Sequence, residues 1–188
     1  MKIPAARFIS IVGHPFVLLA LLVLLPRLQD SPADALHKTL LFAAIVLAPL
    51  ALLIWRSVSS GKWRTVDASE KEERPLLYGT ALAVLAVAIV YFGFVEHMPV
   101  MVRGFGVAAA MIAIAAAANR WIKVSLHIAF ACFCGILLCR TRLAFGLPVL
   151  VFVPALIWSR LVLSRHVLSE TVAGAILGGT GAACFLWL

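Results

Sequence analysis

The sequence predicts an all-α membrane protein, a polytopic bundle of six to seven transmembrane helices. Hydrophobic residues make up 64% of the 188 residues, charged residues make up only 13%, and the mean hydropathy is +1.09. A soluble domain of this size needs far more charge on its surface. The apolar residues form long continuous runs, which favour helices over the alternating pattern of a β-barrel. We therefore expect one integral membrane domain over residues 1–188.

Seven stretches are candidate spans, because a helix needs about 20 apolar residues to cross a bilayer. The fifth and sixth stretches are short, and the sixth contains Pro148 and Pro154, so a count of six spans stays open. The first stretch has no clear cleavage site after it, and we expect it to be retained. The stretches are 9–26, 39–55, 76–95, 99–118, 124–139, 144–159 and 167–188.

One predicted connection is long and polar, and it covers residues 56–75. It carries basic and acidic residues in nearly equal number, which is typical of a solvated connector. Its last four residues, "EERP", suit the start of a helix. Pro75 fits a first helical turn, and Glu72 and Glu73 complement the positive end of the helix dipole.

The net charge of +8 belongs in such a protein to loop ends and lipid headgroups. We therefore expect the lipid bilayer as a partner and no nucleic acid.

The four cysteines lie in apolar stretches without a histidine at metal-ligand spacing, so we predict no metal and no cofactor. In the last stretch, Gly174 and Gly178 form a small-residue face that predicts close helix packing, or a homo-oligomer through this helix.

Three polar clusters interrupt the apolar runs, and counting spans places them on one face of the membrane. Two predicted spans separate the 56–75 loop from "KVSLH", and two more separate "KVSLH" from "SRLVLSRHVLSE". An even number of spans returns the chain to the same side of the bilayer. The residues that we expect to converge are Arg74, Lys123, Ser125, His127, Arg160, His166 and Glu170.

The residue types in these clusters suit phosphate chemistry. Arginine binds phosphate oxygens bidentately through its planar fork, and lysine supplies a point charge. Ser125 and the backbone amides that follow it can donate to an anion. His166 and His127 can serve as a nucleophile and a general acid. Glu170 follows His166 by four residues, so we expect it one turn along the same helix face, where it can orient the imidazole.

The segment "SRLVLSRHVLSE", residues 159–170, resembles the third motif of the type 2 phosphatidic acid phosphatase superfamily, which shares its core with vanadium haloperoxidases. The pattern of that family is KxxxxxxRP, then PSGH, then SRxxxxxHxxxD. Ser159, Arg160, His166 and Glu170 match the third motif in spacing, with Glu in place of Asp. The resemblance implies an acid phosphatase/haloperoxidase-like core from about residue 56 to the end of the chain.

The second motif matches in part. The segment "VSLH" keeps Ser125 and His127 but has Val124 and Leu126 where the family has Pro and Gly.

The first motif also matches in part, since Arg74 and the proline after it are kept. Asp67 stands at the position of the motif's lysine. Lys123 is close to the second motif and is the favoured replacement, with Lys71 as the alternative.

The resemblance implies a metal-independent lipid phosphatase. His166 would attack phosphorus and form a phosphohistidine, Glu170 would orient His166, and His127 would protonate the leaving lipid oxygen. The substrate would be a lipid phosphomonoester or diphosphate such as phosphatidate, phosphatidylglycerophosphate or a polyprenyl diphosphate. The residues that would hold the phosphate are Arg74, Lys123, Ser125 and Arg160.

Other interpretations stay open at this point. The same site could transfer phosphate to a second lipid, and the departures at Asp67 and in "VSLH" allow a non-enzymatic transporter or scaffold. A magnesium-dependent diphosphate site built on Asp67, Glu70 and Glu73 is a further alternative.

Two further polar residues lie outside the motifs. Arg165 could contact substrate or extend to headgroups. His14 lies on the predicted active face and is better explained as a residue at the end of a span.

The distribution of basic residues bears on orientation. More Lys and Arg residues fall on the predicted active face than on the opposite one, even without Arg74, Lys123, Arg160 and Arg165. The positive-inside rule then favours a cytoplasmic active site in a bacterial inner membrane. Many members of the superfamily face outward, so the resemblance points the other way.

Overall fold

The structure is a computed structural model that describes residues 2–28, 31–68 and 70–188. All regular elements in these ranges are helices, which confirms the all-α prediction. A π-helical turn, Ala43–Leu47, joins α3 to α4. The α-helices are α1 (Lys2–Val12), α2 (Pro15–Leu24), α3 (Pro32–Phe42), α4 (Ala48–Ser59), α5 (Arg74–Phe94), α6 (Pro99–Ala118), α7 (Leu126–Thr141), α8 (Leu143–Val162) and α9 (Leu168–Trp187).

Five helical stretches of the described chain are long and apolar enough to cross a membrane, compared with the six to seven predicted. α7 and α9 are not among these five stretches. α7 is apolar but has only 16 residues, and the glycines and Glu170 of α9 lower the hydropathy of that helix. These helices are compatible with an integral membrane protein. The five stretches are Lys2–Leu24, Pro32–Ser59, Arg74–Phe94, Pro99–Ala118 and Leu143–Val162.

The first predicted span, 9–26, begins earlier than expected and is not continuous. The chain is helical from Lys2, leaves the helix at Gly13 and His14, and resumes at Pro15. Pro15 has no backbone N–H, and inside a helix its ring would clash with a preceding carbonyl. His14 therefore adopts extended dihedral angles, φ −65° and ψ 138°, and caps the start of α2.

The predicted polar loop, 56–75, is too long at both ends. α4 continues to Ser59, and α5 begins at Arg74, so the connection covers residues 60–73. The helix that contains the predicted span 39–55 likewise begins at Pro32. Pro148 and Pro154 lie inside α8 without ending it, because α8 packs along α7 and α1 and these contacts outweigh the backbone bonds that each proline removes.

The chain divides into two compact units. The first comprises Met1–Leu40 and Val124–Trp187, and the second comprises Leu41–Lys123 together with Leu188. In the first unit, α7 is the central helix, which packs against α2, α8 and α9, while α1 packs against α8. In the second unit, α5 packs against α6, and the ring of Phe105 contacts Phe42 and Phe92.

The glycines of α9 pack against α7 inside the first unit. A Cβ on Gly174 would lie 2.5 Å from the carbonyl oxygen of Ser125, and one on Gly178 would overlap the backbone of Ala129. The predicted small-residue face thus brings two backbones of one chain together. A homo-oligomer through the same helix would have to use another face.

Candidate functional site

The third motif spans the connection between α8 and α9. α8 ends at Val162, and Ser164 takes a left-handed conformation, φ 53°, that reverses the chain. The N–H of Arg165 and the N–H of His166 both donate to the carbonyl oxygen of Arg160. His166 therefore precedes α9 and does not lie on its face, contrary to the expectation that His166 and Glu170 share one helical turn.

Glu170 nevertheless contacts His166, because it lies in the first turn of α9 and its side chain reaches back. Its Oε2 is 2.8 Å from His166 Nδ1 and accepts a hydrogen bond from the N–H of Val167 at 3.2 Å. The His166 side chain is 2% exposed and that of Glu170 14%. An ionised carboxylate only accepts hydrogen bonds, so Nδ1 carries the proton and Nε2 carries the lone pair of the neutral ring.

The second motif meets the third through a backbone hydrogen bond. Ser125 precedes α7, and its N–H donates to the carbonyl oxygen of Glu170 at 3.1 Å. The Ser125 side chain is fully buried, and its Oγ makes no hydrogen bond to any described residue. The first amides of a helix lack intrahelical acceptors. A buried hydroxyl and an N-terminal helix turn are therefore both available to an anion at this end of the unit.

His127 lies in the first turn of α7 and is buried. Its ring contacts the ring of His14 edge to face, with centroids 5.1 Å apart and planes at 87°. The sequence placed His14 on the predicted active face with His127, but it did not predict a contact between the two rings. The available signal was the pair Gly13 and Pro15 around His14, which marks a helix break that places a polar ring in the interior.

Arg160 is the largest fully buried side chain of the described residues, at 1% exposure. Its Nη1 donates to Ser10 Oγ at 2.7 Å, and the neighbouring Ser159 Oγ donates to the carbonyl oxygen of Ala6 at 2.6 Å. Both partners lie on α1, which sequence reasoning left out of the site. The signal was slight, since Ala6 and Ser10 are small residues spaced by one helical turn.

Arg74 lies in the second unit, where it opens α5 and is buried. Its Nε donates to the carbonyl oxygen of Ala68 at 3.2 Å, and its Nη1 donates to Tyr78 Oη at 3.1 Å. Ala68 has φ 45°, a region that L-residues occupy only under constraint. The guanidinium is thus held from two sides, and the sequence predicted neither Ala68 nor Tyr78.

The constraint on the 60–73 connection comes from Glu73. Its carboxylate is buried and accepts the N–H of Arg64 at 2.8 Å and the N–H of Glu70 at 3.2 Å. Glu70 itself pairs with Arg64 at 3.3 Å. Glu70 and Glu73 therefore bind donors of their own loop, which disfavours the alternative of a magnesium site built on them with Asp67.

Lys71 connects the same loop to the segment that follows α6. Its Nζ donates to the carbonyl oxygen of Trp121 at 3.3 Å, and Asn119 Nδ2 donates to the carbonyl oxygen of Lys71 at 3.0 Å. Arg120 stacks over Trp121 at 3.8 Å from the ring centroid. Lys123 ends the part of this segment that belongs to the second unit. Lys71 and Lys123 therefore both lie in the second unit, and their roles as replacements for the motif's lysine stay predictions.

The predicted site residues fall into two groups, one in each unit. The first unit contains the second and third motifs, and the second unit contains the residues of the first motif and Lys123. The first group is Ser125, His127, Arg160, Arg165, His166 and Glu170, and the second is Asp67, Lys71, Arg74 and Lys123.

Comparisons of the chain with protein families, with curated proteins and with solved structures find no match. The resemblance in the motifs therefore depends on the residues described above.

Proposed function

We propose that this protein is a membrane lipid phosphatase that works through a phosphohistidine at His166. The observation that carries the proposal is the 2.8 Å contact between His166 Nδ1 and Glu170 Oε2. A carboxylate on one ring nitrogen fixes the tautomer and stabilises positive charge on the ring. These are the properties that a nucleophilic histidine needs, and structural histidines seldom require them.

The first step transfers the phosphoryl group to the enzyme. The lone pair of His166 Nε2 attacks phosphorus as the bond from phosphorus to the lipid oxygen breaks. His127 gives a proton to that leaving oxygen, which departs as an alcohol or, from a diphosphate, as a lipid monophosphate. Glu170 stabilises the imidazolium character that develops on His166.

The second step returns the enzyme to its starting state. Neutral His127 takes a proton from water, and the resulting nucleophile attacks the phosphohistidine. The phosphorus–nitrogen bond breaks, inorganic phosphate leaves, and His166 recovers its lone pair. All protons are accounted for without a metal ion.

Charge on the transferring phosphoryl group would be stabilised by Arg160 and by the start of α7. The guanidinium has five N–H donors, so its bond to Ser10 Oγ is compatible with a phosphate contact. The buried hydroxyl of Ser125 and the amides after it add donors that are already in place, which is the most effective form of electrostatic stabilisation.

Arg74 has the features of a phosphate ligand within the second unit, since Ala68 and Tyr78 hold its guanidinium. Its assignment, and that of Lys123, stay predictions from the first motif. Arg165, next to His166, also stays a prediction, as a residue that could contact substrate or headgroups.

The substrate class that fits is a lipid phosphomonoester or diphosphate in a bacterial inner membrane. The apolar helices would keep the site at the bilayer surface, and the distribution of basic residues favours the cytoplasmic face. Phosphate transfer to a second lipid instead of water remains the alternative with the same first step.

The test is phosphate release by purified protein in EDTA from a panel of phosphatidate, phosphatidylglycerophosphate and a polyprenyl diphosphate. We expect release from at least one lipid, with none from His166→Ala and wild-type rates from His37→Ala, which lies exposed on α3. A strict requirement for added magnesium would contradict the proposal. Labelled phosphate that appears on a second lipid would identify a phosphotransferase.

A further inference from the structure

His14 contacts His127 in the first unit, and its own position is fixed by the helix break at Pro15. His14 Nδ1 accepts the N–H of Phe16 at 3.2 Å as the cap of α2. The ring of Phe16 packs edge to face against His14, with centroids 4.7 Å apart. Gly13 allows the break between α1 and α2 to pack closely against α8, because a Cβ at this position would lie 2.6 Å from the side chain of Leu156. The His14 ring is therefore held from several directions before any substrate binds.

We infer that His14 is a positioning residue that holds the His127 ring for proton transfer to the leaving oxygen, an inference that rests on the proposed function. His127 occupies the second position of α7, at the helix end. The perpendicular rings at 5.1 Å have the edge-to-face geometry that aromatic pairs favour. This contact restricts the rotation of the His127 ring within the first turn of α7.

The state of the His14 ring suits positioning better than direct proton transfer. Because Nδ1 accepts the cap hydrogen bond, the neutral ring carries its proton on Nε2. A proton added at Nδ1 would displace the N–H of Phe16 and remove the hydrogen bond that caps α2. Protonation of His14 would thus compete with the cap of α2, and we assign the proton transfer to His127.

Ring orientation matters because a general acid acts only within hydrogen-bond reach of the oxygen that it protonates. A misplacement of about 1 Å can lower the rate of a catalysed step about 100-fold. The phosphate would be held by Arg160 and Ser125, whereas the ring of His14 packs against His127. Loss of the His14 ring should thus slow departure of the leaving group and leave phosphate affinity nearly unchanged.

Two substitutions separate the ring contact from the helix cap. His14→Asn removes the ring but keeps a strong capping side chain, and His14→Phe keeps a ring but removes the cap. The readout is kcat/KM for a lipid alkyl phosphate and for p-nitrophenyl phosphate, whose good leaving group needs no general acid. His37→Asn is the matched control, since His37 is exposed on α3.

We expect His14→Asn to lower kcat/KM for the lipid phosphate about tenfold, a part of what general acid catalysis contributes, and to change it less than about twofold for the aryl phosphate. His14→Phe should lose thermal stability and retain more of the lipid activity than His14→Asn does. Equal losses on both substrates with His14→Asn, or no loss on either, would overturn the inference.

A second measurement needs no activity. In protein with isotope-labelled histidine, the His127 ring protons experience the ring current of His14. We expect their NMR signals to move in His14→Asn, and to move much less in His14→Phe and His37→Asn. Unmoved His127 signals in His14→Asn would overturn the inference even if the wild-type protein released phosphate. Failure of the wild type to release phosphate in EDTA, with the NMR shift present, would defeat the proposed function and the catalytic role of the contact together.

Discussion

The N–H of Ser125 donates to the carbonyl oxygen of Glu170 at 3.1 Å, which joins the start of α7 to the first turn of α9. Gly174 allows this approach, because any side chain there would meet the carbonyl oxygen of Ser125. Backbone atoms make the link, so it does not depend on the side chains of the motifs. Two segments far apart in the sequence are thereby held together at the end of the unit that contains His127 and His166.

The carboxylate of Glu170 is expected to act through its charge on His166. Glu170→Gln keeps the length and removes the charge, whereas Glu170→Asp keeps the charge and shortens the side chain by one methylene. We expect Gln to lower kcat by about 100-fold or more, as loss of the orienting carboxylate does in hydrolytic triads, and Asp by about tenfold or less. Steady-state rates of phosphate release measure both, and a Gln variant as active as the Asp variant would refute the role.

Glu73 is expected to hold the loop that positions Arg74. In Glu73→Gln the amide offers a donor where the carboxylate accepted two backbone N–H groups, so one of them loses its acceptor. A buried donor without an acceptor costs about 1–3 kcal/mol of the free energy of unfolding. Glu72→Gln is the control because Glu72 is exposed.

The same pair of variants tests the link to Arg74 through the carbonyl oxygen of Ala68. We expect KM for the lipid phosphate to rise severalfold in Glu73→Gln and to stay unchanged in Glu72→Gln. Denaturant unfolding in detergent and steady-state kinetics provide the two measurements. Equal behaviour of the two variants would show that the loop does not depend on Glu73.

Adjacent glycines of α9 are expected to respond in opposite ways to the same substitution. Gly178→Ala places a methyl group against the backbone of Ala129, and overpacking of this kind costs about 1–3 kcal/mol. A Cβ on Gly179 would meet no described atom within 4 Å, so Gly179→Ala should stabilise α9 by about 0.5–1 kcal/mol. Thermal denaturation in detergent compares them, and equal melting temperatures would contradict the packing of α9 on α7.

The sequence predicted most helix bounds well where an apolar run ends at a proline or at charges. The span predicted at 99–118 is α6, Pro99–Ala118, because Pro99 sets its start and the polar residues after Ala118 set its end. Counting spans also predicted that Ser125 and Glu170 would share one end. Two apolar runs separate these residues, and an even number of spans returns the chain to the same end.

The partners of the site residues could not be predicted. Ser10 for Arg160, His14 for His127 and Tyr78 for Arg74 arise from helix packing, in which a small rotation changes every neighbour. The position of His166 ahead of α9 was also missed, since spacing by four residues fits a helical turn and a capping side chain equally well.

The central claim is that His166 carries the phosphoryl group, and trapping that intermediate tests it most directly. Trypsin separates the candidate histidines, because Lys123 and Arg165 place His127 in fragment 124–140 and His166 in fragment 166–188. The protein is mixed with radiolabelled lipid phosphate, quenched rapidly in base and digested. We predict a label that is stable in base and lost in acid on fragment 166–188, and no label in His166→Ala. Label on fragment 124–140, or turnover without any labelled enzyme, would contradict the account.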